Sequence, residues 1–367
     1  MPARKLRQDG WSEAWECPAR DDLDFPLMLE RTRAHLLGDP VLPLARAQVH
    51  TLASLPSPFR PIVEVRMVDG LLEVVQQRFL GVVGSQLLIA LRNSRRVLPL
   101  DVWLAIAQGL CTAWELLPLD GLVSRLMPSP ERFGVEVRRR LLVFPDADQS
   151  VSEELMIEQP LVESLWPTRD YASPELLANA PHDPRSRVFS LSVALVELLT
   201  GTHPMRRSTR WDTAAAITNG EARWEPSDHP ACTPALSAVL IQAMDSEPSE
   251  RPSSPRVLLE KLIAAARIAP ASSERVGDVV LGAAPERWRV HLGPLKDDPA
   301  LLPPVWRNGG LSVLEDQLLE TMTPLDRLEK SQAPERALPP PRQRAPRLNL
   351  APATRPSWWQ GLWPFKR

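Results

Sequence analysis

Cysteine is scarce in this sequence: Cys17, Cys111 and Cys232 are the three among 367 residues, and no two of them form a CxxC pair. That spacing offers neither a zinc site nor a disulfide framework, and a reducing cytoplasm is the expected home. Long apolar runs are also missing. No stretch approaches the roughly 18–20 apolar residues of a membrane span. The start, Arg4 to Asp9, is polar and charged with no apolar run behind it, which argues against a secretory leader. Nor is there an excess of one charge. Lys and Arg number 43 against 45 Asp and Glu, a net of -2, so whole-surface attraction to nucleic acid is not expected. The six histidines, His35, His50, His182, His203, His229 and His291, are scattered without metal-ligand spacing and read as ordinary surface or core residues.

What remains is an ordinary globular balance, 44% hydrophobic and 24% charged, long enough for one two-part domain and a tail. Leu6 to Phe79 reads as short strands interrupted by one helix. Phe25 to Leu29 is a short apolar run. Arg46 to Leu55 has helical spacing, with Val49, Leu52 and Leu55 on one face. Ile62 to Met67 and Leu71 to Phe79 are predicted as a strand pair joined by the turn Asp69-Gly70. Beyond them the pattern turns helical. Leu100 to Leu117 carries Val102, Ile106, Leu110 and Trp114 at spacings of about four, with Asp101 as its expected N-cap. Arg187 to Leu199 is apolar nearly all round and predicts a buried helix. Thr233 to Met244 and Val257 to Ala266 are further helices. Strands first and helices later give an α+β, two-part domain.

From Ala269 the pattern weakens. Val279 to Leu281 and Arg289 to Leu292 are expected as short strands, and Leu311 to Leu328 as a helix. From Ser331 the chain is rich in proline and arginine, a composition that cannot bury a core. It ends in the aromatic cluster Trp358, Trp359, Trp363 and Phe365, followed by Lys366 and Arg367.

Three stretches carry a specific resemblance. Thr168-Arg169-Asp170-Tyr171-Ala172-Ser173-Pro174-Glu175 resembles the end of the activation segment of protein kinases, with Ser173 in place of an Ala. Asp183 to Val193, then Glu197-Leu198-Leu199-Thr200-Gly201 and Pro204, resemble the buried central helix of bacterial Ser/Thr kinases of the eukaryotic-like (Hanks) type. Glu247-Pro248-Ser249-Glu250-Arg251-Pro252 resembles that family's closing Asp-Pro-x-x-Arg-Pro. The resemblance implies a bilobal kinase-like domain over 5–268, its N-lobe about 5–82 and its C-lobe about 83–268. An extension at 269–330 and a tail at 331–367 follow. It also implies a structural set of Thr168, Tyr171, Pro174, Glu175 and Arg251, in which Glu175 pairs with Arg251.

The same resemblance marks where phosphoryl-transfer chemistry belongs, and there the residues depart from the pattern. Phosphoryl transfer needs cradled phosphates, held metal and a base. In Gln8-Asp9-Gly10-Trp11-Ser12 only Gly10 remains of a glycine-rich phosphate loop. Glu30 stands where the strand Lys belongs, and Gln48 where the helix Glu belongs. A carboxylate near phosphate costs about 4 kcal/mol at about 4 Å and an effective dielectric near 20. In Val123-Ser124-Arg125-Leu126-Met127-Pro128-Ser129-Pro130, Arg125 replaces the base and cannot accept a proton near neutral pH. Met127 replaces a Lys, and Pro130 replaces the metal-binding Asn. Val143 replaces the Asp of Asp-Phe-Gly, with Asp146 three residues on. Arg187 stands where an Asp ties down the catalytic loop. The implied protein is a pseudokinase that binds or scaffolds in signalling, with no catalytic residue, metal or cofactor expected. A weak or atypical ATP-dependent Ser/Thr kinase using Mg is the alternative. Expected partners are proteins, met by the domain or by the aromatic tail, and the tail's Trp and Arg also suit peripheral contact with an anionic membrane.

Overall fold

The computed structural model describes residues 5–8, 12–18, 20, 22, 23, 25–32, 41–119, 126–144, 170–178, 180, 181, 183–224, 230 and 232–283. Five strands, β1 (Lys5–Gln8), β2 (Ser12–Glu16), β3 (Leu27–Thr32), β4 (Ile62–Val68) and β5 (Leu71–Gln77), form one antiparallel sheet in the order β1-β2-β3-β5-β4. Helix α1 (Val41–Ala53) interrupts the strands and packs on β4 and β5. Val49 and Leu52 are buried, three residues apart on one face, as the helical spacing requires. The β4–β5 hairpin turns through Asp69 at φ 53° and Gly70 at φ 78°. Two consecutive positive φ values suit the twist of a two-residue hairpin, and Asp-Gly tolerates them.

A second, three-stranded sheet orders β6 (Gly81–Val83), β7 (Phe133–Glu136) and β8 (Leu141–Val143). The sheets are tied by backbone and side chain. Val143 N–H donates to the Pro58 carbonyl at 2.8 Å, and Arg60 N–H donates to the Val143 carbonyl at 2.9 Å. The buried Gln77 amide donates to Glu136 at 2.7 Å.

The rest of the described chain is helical: α2 (Gly84–Asn93), α3 (Leu100–Leu116), α4 (Pro174–Leu177), α5 (Pro184–Thr200), α6 (Arg210–Thr218), α7 (Pro234–Ala243), α8 (Pro255–Ala266) and α9 (Ser273–Ala283). Ser173-Pro174, Asp183-Pro184, Thr233-Pro234 and Ser254-Pro255 each start a helix the same way. The first side chain accepts a bond from the opening turn, and proline fills a position whose N–H would be unused. Helix α5 is buried from Ser186 to Leu199, and Gly201 at φ 75° ends it. Two of its three serines are satisfied internally: Ser190 and Ser192 donate to the carbonyls one turn back. Helix α3 packs against α5 and α8. The indole of Trp103 locks α3 to α5 by donating to the Leu195 carbonyl at 2.9 Å.

Several expectations shift. Pro99, not Asp101, holds the N-cap position of α3; Asp101 sits in the first turn, where its charge still suits the helix start, and pairs with Arg275. The strand expected from Phe25 begins at Leu27, the one expected to reach Phe79 ends at Gln77, and Leu55 lies beyond α1. Val279 to Leu281 are helical, not extended. Val276 and Val280 lie four apart and both are buried, which is helical spacing that Gly277 and Gly282 obscure in the sequence. The elements expected at 289–292 and 311–328, and the tail, lie outside the described residues. No helix among the described residues is long and apolar enough to cross a membrane.

Candidate functional site

Four groups of side chains contain the described residues that the sequence singles out. In the first sheet Glu30 lies mid-strand on β3, between Ala14 on β2 and Val74 on β5. Its two carboxylate oxygens accept bonds from Ser12 Oγ at 2.7 Å and Gln76 Nε2 at 2.8 Å. Ser12 and Gln76 are themselves buried, so the carboxylate stitches three strands together. On the opposite face of the sheet, Glu73 is buried and bridges Arg31 and Arg66. Burial raises the Glu73 carboxyl, but the two guanidiniums outweigh it and hold the pKa below the usual value.

Where the sheets join, Val143 ends β8 and is 1% exposed. Phe144 follows and meets Phe79 edge-on, with ring centroids 4.6 Å apart, beside Val83 and Leu142. Pro130 is buried and opens a single 3-10 turn (Pro130–Arg132) leading into β7. Met127 is buried as well.

Arg187, on buried α5, reaches the far end of α3. One guanidinium nitrogen donates to the Trp114 and Leu117 carbonyls at 2.9 and 2.7 Å, and the other to the Pro118 carbonyl. The last carbonyls of a helix have no partner within it, and a cation there is doubly favoured. Burial depresses the Arg187 pKa to about 10, well above neutrality, so the charge persists. Trp114, in turn, donates to the Leu126 carbonyl at 2.9 Å.

In the helical lobe Glu175 and Arg251 form a two-pronged ion pair, at 2.7 and 3.2 Å. Ser186 Oγ donates to the same carboxylate at 2.6 Å. Arg251 also donates to the Asp245, Ser246 and Arg185 carbonyls and lies 5.0 Å from the Phe189 ring centre. Burial raises the Glu175 pKa, but these donors reverse it and leave it lowered. The Tyr171 hydroxyl donates to the buried Glu197 carboxylate at 2.5 Å. Desolvation, then the Glu197 charge, pushes the phenol well above its ordinary pKa. Arg206 bridges Asp170 at 2.9 Å and Glu197 at 3.6 Å. His203 stacks edge-on against Tyr171 at 4.8 Å, and its Nδ1 accepts from the Met205 and Arg206 amides.

Residues 147–263 match the model of the protein kinase domain. A point mutant of the PknI kinase domain from Mycobacterium tuberculosis superposes with a TM-score of 0.51 at 19% identity, covering 72% of this chain and 94% of that one. The fold is that of a protein kinase domain. A curated relative, the tyrosine-protein kinase MasK of Myxococcus xanthus, is 24% identical over 261 residues; the match covers 68% of this chain and only 40% of that protein.

Within the kinase fold the structural set and the chemical set have different fates. Tyr171, Pro174, Glu175 and Arg251 come together around α4, α5 and the turn before Pro252, and Glu30, Pro130 and Val143 are each built into sheet or turn packing. Gly10, Arg125, Asp146, Thr168 and the aromatic tail residues Trp358, Trp359, Trp363 and Phe365 lie outside the described residues. Gln48 falls on α1, but its side chain lies outside what the structure describes. Among the described residues no group of three His, Cys, Asp or Glu is placed to hold a metal ion. Sequence reading missed the partners of Glu30 and the Asp170–Arg206–Glu197–His203 cluster. The only signal for the latter was the run of charged residues flanking Tyr171 and Gly201.

Proposed function

We propose that this chain is a catalytically inactive, kinase-like binding protein. The observation that carries the reading is the Glu30 carboxylate, fixed by Ser12 and Gln76 where a phosphate-holding cation belongs. A carboxylate held by two buried donors does not give way to phosphate without breaking both bonds. Pro130 and Val143 offer no oxygen side chain at the positions that bind metal, so the donor set does not fit a magnesium nucleotide. Arg187 supports the same reading: it closes α3 and fixes the start of the segment leading to Arg125 with a positive charge where an acid would orient a catalytic loop. What is left is a fold with its internal props intact, suited to docking proteins through its helical lobe, with Trp358, Trp359, Trp363 and Phe365 as a second contact.

The relative's name favours a second reading, a weak or atypical ATP-dependent kinase, in which an acid such as Asp146 takes over. Thermal unfolding of the full chain with ATP, with and without magnesium, separates the two. No shift is the expected result. A magnesium-dependent shift accompanied by phosphate transfer to a protein substrate sinks the inactive reading. Deleting Ser357 to Arg367 tests the tail: loss of captured proteins supports protein docking, and loss of a membrane-pelleted fraction supports lipid contact instead.

A further inference from the structure

Helix α9 has a property that no other described helix combines with its position. Its 11 residues include Gly277, Gly282 and the β-branched Val276, Val279 and Val280. So short a helix with this composition has no stability alone in water. It is nevertheless formed, against α2, α3, β6 and β7, of which β6 and α2 carry the chain from the first sheet into the helical lobe. Its apolar footprint is small: Val276 and Val280 are buried, while Val279 and Leu281 are half-buried. Polar anchors supply the rest. The Ala271 N–H donates to the Asp101 carbonyl at 2.9 Å. Arg275 pairs with the Asp101 carboxylate, and Asp278 with Arg139 at 2.9 Å; both pairs are largely exposed. Gly277 lies so close to the stem of Arg139 that an added methyl would overlap its Cβ and Cγ, whereas a methyl on Gly282 would meet nothing within 4 Å.

We propose that α9 is a conformational strap: it folds only when docked across the connection between the lobes, and it leaves and unfolds as a unit. A helix that owes its order to docking and docks through two valines and exposed ion pairs belongs to the low-stability end of the molecule. A cleft of about 280 Å³ beneath its first turn, lined by Ser57, Pro58, Ile106, Leu141 and Val276 among others, leaves that end incompletely packed. The chain beyond Ala283 continues from this helix. The α9 segment touches β6 and β7, so order at the lobe connection follows whether α9 is docked. This holds whether or not the protein transfers phosphate.

Hydrogen exchange on the full chain, with α5 as the internal core reference, tests the strap. Amides of α9 are expected to exchange by local opening, faster than those of α5, and to exchange faster still in high salt, which screens exposed pairs. G282A raises helix propensity without touching anything, and α9 exchange should slow about fourfold. G277A raises propensity equally but overlaps Arg139, so exchange in α9 and in β6 and β7 should quicken instead. R275A removes an anchor without adding bulk and should also quicken α9 while leaving α5 untouched; it decides the matter if α5 protection in G277A shows a general loss of fold. The strap is overturned if α9 exchanges only as slowly as α5, if G277A slows exchange as G282A does, or if β6 and β7 are unmoved when α9 opens.

Discussion

A single side chain can trade one role for another without leaving its place. In the sequence Arg187 is legible only as a reversed charge. What it does instead, closing α3 by three carbonyls, depends on distances that no motif encodes. R187M should cost roughly 3 kcal/mol, because the carbonyls stay buried without a donor. R187K, with one flexible ammonium, should recover part of that; urea unfolding measures both. His203 is equally silent in the sequence, one of six scattered histidines. Burial first, then the charges of Arg206 and Arg207, hold its pKa down to about 3 against an ordinary 6.5. Its Nδ1 already accepts two backbone amides, so a proton there would break both. Unfolded, the ring takes up a proton below about pH 6.5; folded, it resists until about pH 3. Stability is therefore full above the unfolded value and drains as pH falls, by about 3 kcal/mol at about pH 4.5. Comparing urea midpoints at about pH 7 and 4.5 checks this. H203Q should be less stable at neutrality, with a flatter dependence, whereas equal slopes would show that other groups, such as Glu175 with its lowered pKa, dominate.

At the scale of elements, legibility followed local chemistry. The hairpin on Asp69-Gly70 declares itself within two residues and α5 by being apolar all round, but the capped, proline-led starts went unread: the expected helices begin at Arg187 and Val257, inside the true starts at Pro184 and Pro255, and α4 was not expected. Helix α9 did not declare itself, because two glycines and three valines argue against a helix and only tertiary contact overrules them. The bonding of β3 was hidden for a related reason. Glu30 meets Gln76 across 46 positions of sequence and Ser12 across 18, and strand neighbours of that kind are settled by register alone. The sheet makes a definite demand on any attempt to restore the kinase residue. E30K removes the acceptor from two buried donors and places an ammonium beside Gln76. A loss of roughly 2–3 kcal/mol in urea unfolding is expected, with no gain in ATP binding by calorimetry. A stable E30K variant that binds ATP would show that this one position had been the obstacle.

At the scale of the whole molecule Val143 lies in the seam where the two sheets are tied together. Its N–H and carbonyl are both spent on the loop after α1, at Pro58 and Arg60, and its side chain is enclosed. This is why position 143 is a poor place to rebuild a metal ligand. V143D places a carboxylate in a site with 1% exposure, among backbone groups already bonded to each other. A buried charge left without a partner costs about 3–5 kcal/mol, and Arg60, spread over the Phe144 ring, is the nearby cation that would have to leave its place to offset it. Because the seam joins β8 to the α1–β4 connection, the penalty should reach both lobes together: a single thermal transition, lowered, rather than early melting of one lobe. Added magnesium and ATP should not restore it. V143N, similar in size but uncharged, should fall between wild type and V143D, separating the charge from the polarity. Recovery of the V143D transition by magnesium would mean that the aspartate can turn out of the seam toward a metal, and the inactive reading would then lose one of its chemical supports.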